Sequence, residues 1–178
     1  MQLEMFLGLL VLLPLVAEGS ILGNLFCSLP DASTESLNIT TANKTWYVNY
    51  QYAALPGMSA LAGCILVTQS PGDSDNQITI YERPSKLSSL AFSGTATYDG
   101  NRMNVEVDGP LGLLLSVPHN VVWSEEDIFI EHYCVSGTEM ANIMTTYENP
   151  SNEVIERIWK IVEDHSEVDR KKFSKVDC

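Results

Sequence analysis

Short runs of alternating apolar and polar residues recur along most of this chain, with turn residues between them. The first run alternates cleanly and puts Trp46, Val48, Tyr50 and Tyr52 on one face. A period of two predicts β-strands, and about eight or nine short strands at roughly ten-residue spacing predict an antiparallel barrel or sandwich. Closure into a barrel is favoured because it leaves no unpaired strand edge. The predicted strands span residues 46–52, 64–68, 77–83, 90–98, 103–107, 111–117, 121–123, 128–134 and 140–147.

Only a segment near the C-terminus has the period of a helix. Asn149-Pro150-Ser151 supplies a helix start, with proline near the first turn and acidic residues after it. Residues 164–166 are expected to end the helix. Apolar side chains recur at helical spacing between these points, which predicts a stripe that packs on the wall of the barrel. The stripe consists of Val154, Ile155, Ile158, Trp159, Ile161 and Val162.

The N-terminal segment has the pattern of a secretory signal. Residues 5–16 form an apolar run of about 12 residues, which is too short to span a bilayer but suits a signal-peptide core. Small residues follow it, as signal peptidase requires. We therefore expect residues 1–19 to be a signal peptide and residues 20–178 to form one secreted, extracellular domain. No second apolar segment of spanning length follows in the sequence, so no transmembrane segment is predicted.

Cysteines and glycosylation sequons agree with export. An even number of cysteines in an exported chain predicts disulfides, and four cysteines allow three pairings. The cysteines are Cys27, Cys64, Cys134 and Cys178. Two N-glycosylation sequons begin at Asn38 and Asn43, and each predicts a modified, exposed side chain if the chain enters the secretory pathway.

Charge and motif content exclude several classes of function. The chain has 23 acidic and 10 basic residues and a formal charge of −13, a field that repels phosphates, so no nucleic-acid partner is expected. His119, His132 and His165 are too scattered for a zinc site, and we interpret them as structural rather than metal or haem ligands. No nucleotide-binding or nucleophile-elbow motif is found in the sequence, so no catalytic residue and no cofactor are predicted.

Several of these features together resemble the lipocalin family over most of the chain after the signal segment. Thr45-Trp46-Tyr47 stands where lipocalins carry the Gly-x-Trp motif of the first strand. The acidic turn at residues 123–127 and the strand after it look like the second motif, and residues 143–146 look like the last strand. The cysteine layout is similar to that of insect bilin-binding proteins, crustacyanin subunits and apolipoprotein D.

All three family motifs show a departure from the usual pattern. Lys44 replaces the glycine of the first motif, and Ser124-Glu125 replaces the Thr-Asp pair of the second. Thr146 or a neighbour stands where lipocalins carry an arginine that covers the tryptophan of the first strand. The chain is thus similar to a divergent member of the family.

The resemblance implies a fold, a pairing of cysteines and a function. The fold is all-β, an eight-stranded antiparallel up-and-down barrel with a C-terminal α-helix packed on the outside. The disulfides are Cys27–Cys134 and Cys64–Cys178, and Trp46 plugs the closed end. The function is that of a carrier that binds or sequesters a small hydrophobic molecule in the barrel, such as a bilin, a carotenoid, a fatty acid or another lipid.

Candidate ligand-binding residues follow from the strand faces, although strand periodicity leaves the inward register open by one residue. These candidates are Tyr50, Tyr52, Ile65, Val67, Ile80, Phe92, Met103, Val105, Leu113, Leu115, Ile130 and Met144. The apolar segment 55–62 is expected to form a loop at the open mouth that gates the ligand or contacts a protein partner.

Two other functions compete with the carrier. In one, the barrel is filled by its own side chains and acts through its surface, as a secreted interaction or structural protein with a protein partner or as a homo-oligomer. In the other, Cys64 is a catalytic thiol inside the barrel, as in an enzymatic variant of the family. A disulfide at Cys64 excludes that enzyme, because a nucleophile needs a free sulfur.

Overall fold

The computed structural model describes most of the chain from the first strand onwards. The described residues are Cys27, Leu37, 40–53, 63–135, 137–166 and 168–178. The predicted signal peptide at residues 1–19, the sequon at Asn38 and the mouth loop at residues 55–62 lie outside the described residues. Within the described ranges, no helix is both long and apolar enough to cross a bilayer.

Eight antiparallel strands close into a barrel, and a ninth short strand is added to it. Each strand pairs with the next from β2 to β8, and β1 closes the barrel by pairing with both β8 and β2. The strands are β1 Lys44–Ala53, β2 Ile65–Pro71, β3 Gln77–Pro84, β4 Phe92–Asp99, β5 Arg102–Val107, β6 Pro118–Ser124, β7 Ile128–Val135, β8 Thr138–Thr145 and β9 Ser174–Lys175.

Helical segments are short apart from one. The single-turn helix α1 is Gly112–Leu115, the long helix α2 is Asn152–His165, and 3₁₀ turns occupy Ser88–Leu90, Gly109–Leu111 and Arg170–Lys172. Helix α2 begins after Ser151, whose side chain accepts a hydrogen bond from the Val154 amide, and it ends at Ser166. The predicted all-β barrel and its C-terminal helix are therefore confirmed.

The strand predicted at residues 111–117 is wrong, because this segment forms a 3₁₀ turn followed by α1. Gly109 adopts a φ of 72°, and Pro110 follows it in the first turn, which its fixed φ favours. The leucines that follow are consecutive rather than alternating, so they define no strand face. Ser116 ends the turn, and its hydroxyl accepts a hydrogen bond from the Val107 amide.

Strand β1 changes face in its middle. Its pairing with β8 shifts by one residue between Val48 and Tyr50, which is a β-bulge. Because side chains alternate with a period of two, one extra residue exchanges the inner and outer sets beyond the bulge. Trp46 and Val48 therefore belong to the inner cluster, whereas Tyr50 belongs to the cluster under α2.

Two apolar clusters stabilise the barrel, one inside it and one between its outer wall and α2. The outer cluster consists of Tyr50, Ile128, Ile130, Ile143, Ile158, Trp159, Ile161 and Val162. The predicted helical stripe supplies the last four of these residues and covers the outer faces of β1, β7 and β8. These strands thus have two buried faces, and β7 and β8 carry apolar residues on both.

The two disulfides have the pairing that the resemblance implied. Cys27 is bonded to Cys134 at the end of β7, and Cys64, just before β2, is bonded to Cys178. The Cys64 disulfide holds the last residue beside β1, where the Val176 amide donates a hydrogen bond to the Asn49 carbonyl. Because its sulfur is bonded, Cys64 is no nucleophile, and the thiol-enzyme alternative is excluded.

Candidate ligand-binding site

The interior of the barrel contains a cavity of about 240 Å³. Aromatic, aliphatic and methionine side chains from seven of the eight barrel strands and from α1 form most of its wall, and a few polar side chains interrupt them. The apolar wall consists of Trp46, Ile65, Val67, Ile78, Ile80, Phe92, Tyr98, Met103, Val105, Val107, Leu115, Phe129, Tyr133, Val135, Met140 and Met144. Such a wall with few polar groups is typical of a small-molecule site.

The structure places eight of the twelve candidate ligand-binding residues on the cavity wall. They are Ile65, Val67, Ile80, Phe92, Met103, Val105, Leu115 and Met144. Their role in ligand binding stays a prediction. The other four candidates lie away from the cavity.

Tyr50 and Tyr52 lie outside the barrel because of the bulge in β1. The ring of Tyr50 packs edge-on against Trp159 of α2 at 4.7 Å between centroids. The Tyr52 ring packs against Phe173 at 6.4 Å, and its hydroxyl hydrogen bonds to Glu139. The residue that faces the cavity from this half of β1 is Gln51.

Ile130 and Leu113 are displaced for other reasons. Ile130 lies on the outer face of β7 under α2, and helix coverage makes that face as apolar as the inner one. Leu113 belongs to the turn that replaces the predicted strand, and its side chain is 86% exposed. Its neighbour Leu115 packs against the inner cluster instead.

A hydrogen-bonded polar cluster occupies one part of the cavity wall, centred on Glu131 of β7. One carboxylate oxygen of Glu131 lies 2.9 Å from His119 Nδ1, and the other accepts a hydrogen bond of 2.9 Å from the Asn142 amide. The same amide nitrogen lies 3.1 Å from the Tyr133 hydroxyl, and Asn142 accepts a hydrogen bond from Gln51. His119 and Tyr133 stack at 4.2 Å. We call these five residues the polar cluster.

Glu82 adds a second carboxyl group to the cavity wall. Burial raises its pKa to about 8, and the charge of Glu131 contributes to the shift. Burial and then the Glu131 charge also raise the pKa of Tyr98 and of Tyr133, so both phenols stay neutral. Among the described residues that line the cavity, none is a lysine or an arginine. The polar part of the cavity is therefore acidic.

The apolar end of the cavity lies at Trp46. The ring of Trp46 is 5.8 Å from that of Phe129, and its Nε1 donates a hydrogen bond of 2.8 Å to Gln69. The Gln69 amide in turn donates to the carbonyls of Thr40 and Ala42, which fixes the leading segment at this end.

Lys44 covers the outer side of the Trp46 ring. Its ammonium lies 4.8 Å from the ring centroid and donates a hydrogen bond of 2.6 Å to the Glu126 carbonyl. Lys44, the residue at the position of the motif glycine, thus places a cation against the Trp46 ring.

The candidates predicted from the sequence are aliphatic, aromatic or methionine residues, so they include neither Glu82 nor any member of the polar cluster. For Glu82 one signal was present, because it alternates with Ile78 and Ile80 on the inner face of β3. The sequence of β7 gave no such signal, because its apolar residues lie on both faces and do not indicate which face points inward. Within the described ranges, no group of three potential metal ligands is found.

Solved structures with this fold are found by structural comparison. Insecticyanin from the tobacco hornworm Manduca sexta superimposes with a TM-score of 0.63 at 10% identity, over 85% of this chain and 86% of that chain. H1 crustacyanin from the lobster Homarus americanus gives 0.60 at 13% identity, over 85% and 93%. The tryptamine complex of the amine-binding protein of Rhodnius prolixus gives 0.60 at 11%, over 84% and 85%.

These similarities define the class of the protein: the chain has the lipocalin fold. The resemblance drawn from the tryptophan motif, the acidic turn and the cysteines is confirmed at this level. No family model matches the sequence, and no curated protein matches it significantly. The chain is thus lipocalin-like in structure and divergent in sequence.

Proposed function

We propose that this protein is a secreted binding protein that holds a small, mainly apolar molecule in its barrel. The cavity of about 240 Å³, lined on most of its surface by apolar side chains, is the observation that carries this function. Apolar surface removed from water contributes roughly 25 cal/mol per Å², which drives such binding without catalytic chemistry. One similar structure is a tryptamine complex, so a barrel of this shape is able to hold a small organic molecule.

The size of the cavity limits the range of ligands that fit. Sites for drug-sized ligands measure roughly 300–1,000 Å³, and this cavity lies below that range. A compact ligand, with one or two rings or a short chain, therefore fits better than the extended frame of a bilin or a carotenoid. The open interior also disfavours the alternative in which side chains fill the barrel.

Secretion and glycosylation belong to the same proposal. Disulfides persist in oxidising compartments, and both bonded pairs of this chain are of the stable, long-range kind. Asn43 is exposed just before β1, where a glycan has room. Expression in eukaryotic cells tests both points: we expect the protein in the medium, with a mass that falls on enzymatic deglycosylation. Intracellular retention without a glycan contradicts this part of the proposal.

Fluorescence tests ligand binding, because Trp46 lines the cavity whereas Trp159 of α2 packs against the outer wall of the barrel. Titration with a compact aromatic alcohol, retinol, a fatty acid, a bilin and a carotenoid is expected to quench part of the emission. The compact probe should saturate at micromolar concentration. The variant Trp46→Phe should retain binding by calorimetry but lose the quenching. No saturable response to any probe contradicts the proposed function.

A further inference from the structure

The chemistry of the polar part of the cavity points to a narrower ligand class. Glu131 is 6% exposed, and both of its oxygens contact neutral or titratable partners in the polar cluster rather than a lysine or an arginine. The Glu82 side chain lines the same cavity and makes no hydrogen bond to the residues that the structure describes. A carboxylate removed from water without a cationic partner is costly, so such groups are commonly neutralised by protons or by a bound cation.

A cation is the ligand group that satisfies both carboxylates. An ammonium has three donors and no acceptor, so it is able to bridge two carboxylates as well as bind one. Rings of Phe92, Tyr98 and Tyr133 also line the cavity and add cation–π attraction. A ligand carboxylate, in contrast, meets like charge at Glu131, a juxtaposition that costs several kcal/mol in a desolvated site.

The apolar end of the cavity determines the chemistry of the uncharged part of the ligand. Phe129 and Glu131 both face inward from β7, two residues apart, which places them about 7 Å apart along the strand. Trp46 packs on Phe129 and Met144 lies opposite it on β8. A ligand that spans the cavity thus has a compact apolar body at the Trp46 end and a cationic group a few bonds away.

We propose, resting on the proposed function, that the cavity selects a small apolar amine whose ammonium group lies between Glu82 and Glu131. Its aryl or alkyl body occupies the end formed by Trp46, Phe129 and Met144. Fatty acids and other apolar anions are excluded by the same two carboxyl groups. Glu82 and Glu131 therefore determine the specificity of the barrel, whereas the apolar wall supplies most of its affinity.

Binding of the cation is coupled to release of a proton. In the empty cavity Glu82 is largely protonated at neutral pH, because its pKa is about 8. An ammonium beside it favours the carboxylate, so the proton leaves on binding. The titratable groups that face the cavity from the described strands are Glu82, Tyr98, His119, Glu131 and Tyr133. The amine itself, with a pKa near that of lysine, about 10.4, stays charged over this range.

Three matched probes test the selectivity: phenylbutylamine, phenylbutanol and phenylbutyrate, which share one apolar body and differ in charge. Isothermal titration calorimetry of the disulfide-intact protein at neutral pH should give the order amine, alcohol, acid. We expect the amine to bind at least tenfold more tightly than the alcohol, since hydrogen bonds between charged groups are stronger than those of a neutral hydroxyl.

Two variants assign the effect to the carboxyl groups. Glu82→Gln and Glu131→Gln should each weaken amine binding by about 10- to 100-fold and leave alcohol binding within about threefold. The retained alcohol binding shows that the barrel is folded. Glu106→Gln is the matched control, because Glu106 is an exposed acid on the outer face of β5. It should leave the affinities for all three probes unchanged.

Proton release gives a second readout. The binding enthalpy of the amine at pH 7, measured in two buffers with different ionisation enthalpies, should reveal release that approaches one proton per amine. Glu82→Gln should abolish most of this release.

The outcomes separate this inference from the proposed function. If the alcohol binds as tightly as the amine, or if both glutamine variants leave amine affinity unchanged, the inference is overturned and the carrier function stands. If no probe binds, the proposed function itself fails. Amine binding without proton release contradicts the assignment of the ammonium to Glu82.

Discussion

The pKa of a single residue, Glu82, reflects the burial and the charge of the cavity. The Glu82 side chain lines the cavity and is half-buried. Burial and the charge of Glu131 favour the neutral carboxyl, which raises its pKa from 4.5 to about 8. In the unfolded chain the same group is solvated and ionises at its ordinary pKa. The folded protein therefore retains a proton that the unfolded chain loses between these two values.

This difference predicts a stability that depends on pH. The contribution of Glu82 is fully present below about pH 4.5 and is lost as pH rises through about 8, with a slope of at most about 1.4 kcal/mol per pH unit. Glu82→Gln does not titrate, so it should gain stability relative to the natural protein between about pH 5 and pH 8. Urea unfolding of both proteins at the two pH values measures this gain. If the difference in unfolding free energy between Glu82→Gln and the natural protein is the same at both pH values, the raised pKa of Glu82 is contradicted.

Helix α2 is the element that determines the two-sided burial of β7 and β8. Trp159 is its central contact, with Tyr50 at 4.7 Å and Phe173 at 5.9 Å between ring centroids. Arg170 lies 4.7 Å from the same ring and covers it from solvent. At the start of the helix, Arg157 donates a charged hydrogen bond to Asp127 in the turn before β7. The helix is thus part of the barrel wall rather than an appendage.

Removal of the Trp159 side chain tests this role. Trp159→Ala should lower the free energy of unfolding by about 3–5 kcal/mol, because the removed ring leaves a cavity against β1. Lys160→Ala is the matched control, since Lys160 is the exposed next residue on the same helix, and it should change stability by less than about 0.5 kcal/mol. Urea unfolding monitored by circular dichroism gives both values. If Trp159→Ala loses no more unfolding free energy than Lys160→Ala, the helix does not stabilise the barrel.

Element positions could be predicted from the sequence, and the faces of some strands could not. The spacing of the strands and the position of the helix at residues 152–165 depend on local sequence patterns, and these patterns are clear in this chain. The face of Tyr50 depends on one bulge residue, and that of Ile130 depends on a helix packed from outside. Both are tertiary effects that reverse a period-two pattern without any change in composition. The acidic part of the cavity was missed for another reason, because the candidates were chosen for apolar character although Glu82 alternates with Ile78 and Ile80.

At the scale of the whole molecule, the disulfides connect segments that are distant in the chain. Cys27–Cys134 spans a sequence separation of 107 residues and Cys64–Cys178 spans 114. Between α2 and the last residue, Val168 and Val176 are buried and β9 pairs with β1. The C-terminal segment therefore closes over the same strand that carries Trp46 at its other end.

Loss of the second disulfide should weaken the whole barrel. In the chain-entropy model a loop of this length contributes about 4–5 kcal/mol, so the double variant Cys64→Ser with Cys178→Ser should lose a large part of the stability of the domain. The matched variant Cys27→Ser with Cys134→Ser should lose a similar amount, because its loop is of nearly equal length. Thermal and urea unfolding measure both. A double variant as stable as the natural protein shows that the pairing contributes nothing.

The central claim, that the barrel interior binds a small molecule, is tested most directly by methyl NMR. The chain has six methionines, and three of them, Met103, Met140 and Met144, line the cavity. With methyl-labelled methionine and single Met→Leu variants for assignment, titration with phenylbutanol should shift these three signals together and saturably. Signals that stay unchanged at high probe concentration, or that move only in linear proportion to it, contradict the binding cavity.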